Sequence, residues 1–447
     1  MKRLILFGQP KRADKYSEEG FNMSKKMKKA LSLILALGML FTLAACGGDS
    51  GSDTDSSDAA DSGGDTYKVG MIYPMSGSNA LFGTAMADAT QIAVDMINEA
   101  GGINGTQIEL VIGDGTTTSE ASTEATRMID SEGVNLIIGS MSSGNANAIR
   151  SVTERSNVIL WETSAVADNV LDGQSGLTFR VCDQGSYRGY NAVRFLAEEL
   201  SSTLGKEPAE LKIAVINEDS SYGESIAEGA LEAAEEFGIT VAYNEAYDAA
   251  TTDVSSTVMG IKNAEVDAIV AASYISDALL YCDTLTQYDA WPDVLLGCGS
   301  GWNDPTICET LGAEGVEGIF CVDMPSSIEL SMLNEENAAL LSSFKEAYQE
   351  KAGKESVLSS DVAFMAAYEL FKNILPNAAS FSTEDIVTAI KATDIEQTTM
   401  IWSLKFDESG QNTGAQSVLM QWQNGELKTV WPGNYANGEF INVPLNK

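Results

Sequence analysis

Val134-Asn135-Leu136-Ile137-Ile138-Gly139-Ser140-Met141-Ser142-Ser143-Gly144-Asn145-Ala146-Asn147-Ala148-Ile149 is the stretch from which the rest of the chain can be read. The apolar run 134–138 reads as a buried parallel strand. Small hydroxyl residues follow, and a helix is predicted to begin near Ser143. Such a turn leaves backbone N–H groups unpaired at the helix start. Together with a serine hydroxyl and the positive helix end, they suit a carboxylate or another small anion. A plain N-cap explains the same residues. The surroundings decide between the two.

Outward from that turn, strand and helix alternate. Strands are predicted at 68–73, 108–112 and 158–161, then at 211–216, 240–243, 268–271 and 294–296. Helices fall at 83–98, 119–132, 224–237, 255–263 and 277–287. This alternation means parallel sheets covered by helices on both faces, with ligands outside the C-terminal strand ends. The units are too many for one sheet, so two α/β lobes, each a doubly wound parallel sheet, are expected.

Composition narrows the chemistry. The 447 residues hold 27 Lys and Arg against 64 Asp and Glu, a net charge of −37. Such a surface repels nucleic acid, which is excluded as a partner. Histidine is absent. No Ser-His-Asp triad, Cys-His dyad or histidine-bound zinc can therefore be built. The six cysteines form no C-x-x-C pair, so neither a zinc ribbon nor a thioredoxin-type site is supported. No catalytic residue, metal or cofactor is assigned.

The amino-terminal region reads as an address. Met23-Ser24-Lys25-Lys26-Met27-Lys28-Lys29 is a basic n-region, and 30–43 is an apolar stretch too short to span a bilayer comfortably. Leu43-Ala44-Ala45-Cys46 resembles the lipobox of bacterial lipoproteins, which implies cleavage before Cys46 and lipid on it. Residues 23–45 are thus the signal peptide. Residues 1–22 are expected to be an upstream start artefact, because Glu18-Glu19-Gly20 can be encoded by a purine-rich ribosome-binding sequence. The Gly, Ser and Asp-rich stretch that completes 46–66 cannot bury a core and reads as a flexible tether. A lipid anchor with a leash holds a folded body at the membrane outside the cytoplasm. Five cysteines then remain, an odd number, so at least one thiol is free. Most are expected to be buried and structural.

Ser76-Gly77-x4-Phe82-Gly83 and Asn98-x2-Gly101-Gly102-Ile103-Asn104-Gly105 resemble the type I periplasmic binding proteins of the branched-chain amino acid and amide transport family. So do Asp219-x2-Tyr222-Gly223, Gly301-Trp302-x2-Pro305 and Gln421-Trp422-x-Asn424-Gly425. The resemblance implies two lobes joined by three crossovers, with lobe one at 67–183 and 318–398 and lobe two at 184–317 and 399–447. It implies a monomer that closes on a solute and delivers it to ABC permease subunits. By the same resemblance Ser143 holds a ligand carboxylate, with Ser142 beside it. The Ala165 carbonyl would take an ammonium, Phe82 would cap the cleft, and Tyr222 and Tyr274 would line lobe two. Ser300 stands where relatives that bind α-amino acids often carry an acid, and Val166 where a threonine is usual. Glu162 or Asp183 could restore the charge. Trp161 and Trp302 could make the cleft aromatic.

Two other readings stay open. Carboxylate pairs abound, as an Asp- or Glu-dependent hydrolase would need, although no Gly-x-Ser-x-Gly motif occurs. The same fold could also serve as the ligand-sensing module of a signalling receptor.

Overall fold

The structure, a computed structural model, describes residues 66–173 and 175–445. The expectations for 1–22 and 23–45, and those for Cys46 and the tether up to residue 65, lie outside the described residues.

Five strands make the first sheet, in the order β2-β1-β3-β4-β5. They are β1 (Thr66–Tyr73), β2 (Gln107–Asp114), β3 (Leu136–Gly139), β4 (Ile159–Glu162) and β5 (Thr178–Arg180). All pair in parallel. The second sheet runs β12-β11-β10-β9-β8-β6-β7. Its parallel part is β6 (Lys212–Glu218), β7 (Thr240–Tyr247), β8 (Ala268–Ala272), β9 (Val294–Cys298) and β10 (Phe320–Asp323). The antiparallel strands β11 (Val418–Gln423) and β12 (Glu426–Trp431) extend one end. Position in the sheet explains strand composition. Interior β3, β4, β8 and β9 are buried at every residue, whereas edge strand β7 alternates exposed and half-buried positions.

The helices are α1 (Ala80–Glu99), α2 (Thr118–Glu132), α3 (Ser143–Thr153), α4 (Gly185–Phe195), α5 (Ser221–Phe237) and α6 (Ser255–Ala264). Then come α7 (Ile275–Gln287), α8 (Pro305–Val316), α9 (Glu335–Ala352), α10 (Leu358–Glu369) and α11 (Thr383–Lys391). A capping box starts α2: Glu120 N donates to Thr117 Oγ1, and Thr117 N donates to Glu120 Oε2. Helix α5 starts three residues before the predicted position, because the Ser220 hydroxyl accepts from Tyr222 N and caps it. Helix α10 is buried from Ser360 to Ala367, packed against α1 and, through the stacked rings of Phe364 and Phe344 4.1 Å apart, against α9. Burying each of those rings contributes about 1.5–3 kcal/mol.

The chain crosses between the lobes three times, and two crossings differ from expectation. The first, expected at 183–184, comes between β5 of the first sheet and β6 of the second. The return expected at residue 318 comes later. Strand β10 hydrogen-bonds to β9 and β11 and belongs to the second sheet, so the crossing follows Asp323. The final crossing also lies beyond residue 399. Phe406 packs on Trp161 and Phe179, and Gln411 bridges to Arg180, which keeps this segment with the first lobe until β11. Glycine and turn signals mark where a strand ends but not which sheet it joins. That depends on pairing partners distant in sequence.

Candidate functional site

A cavity of about 440 Å³ lies between the two sheets, a size typical of small-molecule sites. Its walls come from the loops after β3, β4, β8 and β9, from the first turns of α1 and α5, and from more distant segments on both lobes. Phe82, Ser143, Tyr222, Tyr274 and Ser300 all line it, as does Val166.

Ser143 opens α3 and is 2 % exposed. Its Oγ accepts a hydrogen bond from Ala167 N at 3.1 Å, which leaves the hydroxyl proton free to be donated. Ser142 is the N-cap: its hydroxyl accepts from Asn145 N at 3.4 Å. Capping and the candidate anion contact are therefore divided between adjacent serines. The remaining first-turn N–H groups of α3 have no partner within the helix, and the dipole favours negative charge there.

The opposite wall is aromatic. Tyr222 and Tyr274 lie with ring centroids 4.9 Å apart and planes 30° apart. The Tyr222 hydroxyl donates to the Cys298 carbonyl at 3.1 Å, and burial raises its pKa well above the usual range. Gly299 follows, with φ +90°, a conformation L side chains rarely adopt. A Cβ there would also overlap the Tyr222 hydroxyl. This glycine lets the short helical turn Ser300–Asn303 begin directly against the tyrosine.

Several expectations fail on burial. Trp302 is fully buried in the second lobe's core, its ring laid over Gly297, and it does not reach the cavity. Trp161 is also fully buried, and its Nε1 donates to the Ala366 carbonyl at 2.9 Å. Neither tryptophan makes the cleft aromatic. Ala165 is buried outside the lining, with its carbonyl turned toward Arg180 Nη1 at 3.4 Å. Glu162 does not supply a charge to the cavity. Its carboxylate accepts from Ser140 N, Ser164 N and Ala165 N at 2.7–3.0 Å and braces the loop after β4. Burial still pushes its pKa up against these bonds.

Asp183 is engaged by a residue that the sequence did not single out. Arg188 on α4 is 2 % exposed and lines the cavity. Its Nε and Nη2 donate to the Asp183 carboxylate at 2.9 and 2.7 Å, and its Nη1 lies 2.7 Å from Asp323 Oδ1. Asp323 also accepts from Asn303 Nδ2 at 2.9 Å. Burial works against the guanidinium charge, but the two carboxylates outweigh it and hold its pKa well above the usual value. Burial pushes Asp323 up to about 6 although Arg188 opposes it. Asp183 lies at the first crossover, between β5 and α4, and Asp323 directly precedes the second, so one arginine joins two hinge segments. Asp183 lies 5 positions before it and Asp323 135 positions after it, a separation that no local motif reveals.

Cys182, Cys298, Cys308 and Cys321 are free thiols, and Cys182, Cys282, Cys298 and Cys321 are buried. Among the described residues no group of three or more Cys, Asp or Glu is arranged to hold a metal, and no helix is long and apolar enough to cross a membrane.

Two hinged parallel-sheet lobes around a solute-sized cavity define a class, and the comparisons agree with it. The chain belongs to the periplasmic binding protein family, whose model matches residues 66–426. It is 33 % identical over 375 residues to a Leu/Ile/Val-binding protein homolog 7 of Brucella suis, covering 83 % of this chain and 93 % of that protein. The structure is similar to the branched-chain amino acid transporter substrate binding protein LivJ of Streptococcus pneumoniae in complex with isoleucine. The TM-score is 0.69 at 24 % identity, over 82 % of this chain and all of that one. An ABC transporter solute binding protein of R. palustris in complex with 4-hydroxybenzoate gives 0.66 at 20 % identity, over 81 % and 95 %.

Proposed function

We propose that this chain is an extracytoplasmic solute-binding lipoprotein that captures a small carboxylate-bearing solute between its lobes and hands it to an ABC importer. The observation that carries the reading is Ser143: a buried serine with an undonated hydroxyl proton, at a helix start, facing two tyrosines across a cavity. A carboxylate there receives the hydroxyl and first-turn N–H groups, and its apolar body packs on the rings. Closure follows from contacts made to both lobes at once, which favour the closed state.

The site does not favour an ordinary α-amino acid. Ser300 and Val166 line the cavity where an acid and a threonine would hold the ammonium, and the Ala165 carbonyl is turned away. Relatives solved with isoleucine and with 4-hydroxybenzoate share a carboxylate, which is the chemistry that Ser143 reads. No catalytic activity is proposed, since histidine is absent from the chain and the Glu162, Asp183 and Asp323 carboxylates are buried in structural bonds. The lipid on Cys46, the monomeric state and the permease partner complete the proposal. A thermal-shift screen of amino acids, amides, nucleosides and aromatic acids tests it. A carboxylate should raise the melting temperature in a concentration-dependent way. No shift with any carboxylate would count against the reading.

A further inference from the structure

Besides Ser143, the cavity is lined by residues of the first turn of α10 and by Lys345 of α9. That turn is already capped by Ser360, whose hydroxyl accepts from Val357 N at 2.9 Å and donates to the Val357 carbonyl at 2.7 Å. The side chains on either side of Ser360 are thus not needed for the helix. Both line the cavity, and both carry a buried polar atom with no hydrogen-bond partner: Ser359 Oγ and Asp361 Oδ1. Asp361 is only 6 % exposed. A buried carboxylate oxygen left without a donor is costly, and native proteins rarely leave one so.

We propose that Asp361 and Ser359 form a second polar subsite that receives an amine or other N–H group at the far end of a carboxylate-bearing ligand. This rests on the proposed binding of a carboxylate at Ser143. Its consequence is a ligand class: an elongated solute with an anionic end and a cationic end, longer than a single amino acid. The cavity is large enough, and its second-lobe wall continues past the tyrosines to Gly425, Glu426 and Leu427. Charge agrees with the assignment. Lys345, exposed on α9, and the Ser356 hydroxyl favour the ionised form of Asp361, whereas burial pushes its pKa up to about 6. A ligand ammonium would supply the donor that Oδ1 lacks and displace Lys345 as the dominant positive neighbour.

The test uses the full-length protein and two matched pairs of probes in calorimetry: 6-aminohexanoate with hexanoate, and 4-(aminomethyl)benzoate with 4-methylbenzoate. In at least one pair the amine should bind about tenfold more tightly, the size of a charge-assisted hydrogen bond. Asp361→Asn should bring that pair to within about threefold of each other, and Ser359→Ala should narrow the gap less. Equal affinities within both pairs, no binding of either amine, or a preference that survives Asp361→Asn would overturn the subsite. If hexanoate or 4-methylbenzoate binds and is weakened by Ser143→Ala, the carboxylate reading stands even when the subsite falls. A readout without ligand covers the fold. Removing an unpaired buried charge should leave the melting temperature of the Asp361→Asn protein at pH 8 equal to or above that of the parent. A clear drop would mean that Lys345 already satisfies Asp361, and would also overturn the proposal.

Discussion

The two walls of the cavity treat their charges in opposite ways. On the second lobe Arg188 is enclosed by Asp183 and Asp323, with Asn303 completing the set. On the first lobe the Ser143 hydroxyl proton and Asp361 Oδ1 have no partner among the described residues, and Ser142 caps only the Asn145 N–H at the start of α3. A satisfied network holds shape, whereas unsatisfied groups have valence left for a ligand. On the proposed function, this difference assigns recognition chemistry to the first lobe. The second supplies an aromatic wall and a rigid tie between two hinge segments.

Breaking the satisfied side should cost the most. Arg188→Met leaves two buried carboxylates without a cation and is expected to lower unfolding free energy by about 3–5 kcal/mol, read by urea denaturation. Replacing Asp183 and Asp323 by apolar residues in the same protein should recover much of that loss, since it removes the stranded charges rather than restoring a bond. No recovery would show that Arg188 matters through something other than this pairing.

The first lobe's own acids sharpen the contrast. Glu369, on the same helix as Asp361, has Asn373 as its hydrogen-bond donor, and burial pushes its pKa up from 4.5 to about 7. The folded protein therefore keeps a proton that the unfolded chain releases as pH rises above 4.5. That stabilisation is full below pH 4.5 and is lost as pH rises through 7. Glu369→Gln stays neutral throughout. It should match the parent near pH 4.5 and be more stable at pH 8 by about 1–3 kcal/mol, measured as denaturation midpoints at both pH values.

The smallest effect falls on the site itself. Ser143→Ala removes one donor to the ligand and the acceptor of Ala167 N. Affinity for any carboxylate identified by the screen should fall about tenfold, about 1.4 kcal/mol, while affinity for an uncharged amide falls less.

What sequence could reveal follows from range. The strand and helix pattern was legible because burial imposes a periodicity on neighbouring residues, and α3 with Ser143 was legible because a strand, a glycine, serines and a helix lie within a dozen positions. Arg188 was not legible, because Asp323 reaches it only when β10 joins the second sheet. Asp361 was not, because it lies on α10, a helix buried against α1 far away in sequence. Trp302 misled for a related reason. A glycine-tryptophan pair near a cleft suggests an aromatic lining, yet the ring fills the space that Gly297 leaves in the core.

The most direct measurement is a crystal structure with the tightest-binding carboxylate from the screen. The account predicts the ligand carboxylate within about 3 Å of Ser143 Oγ, its body against Tyr222 and Tyr274, and Arg188 still paired with both aspartates. A ligand whose carboxylate instead binds Arg188, or which lies outside this cavity, would contradict it.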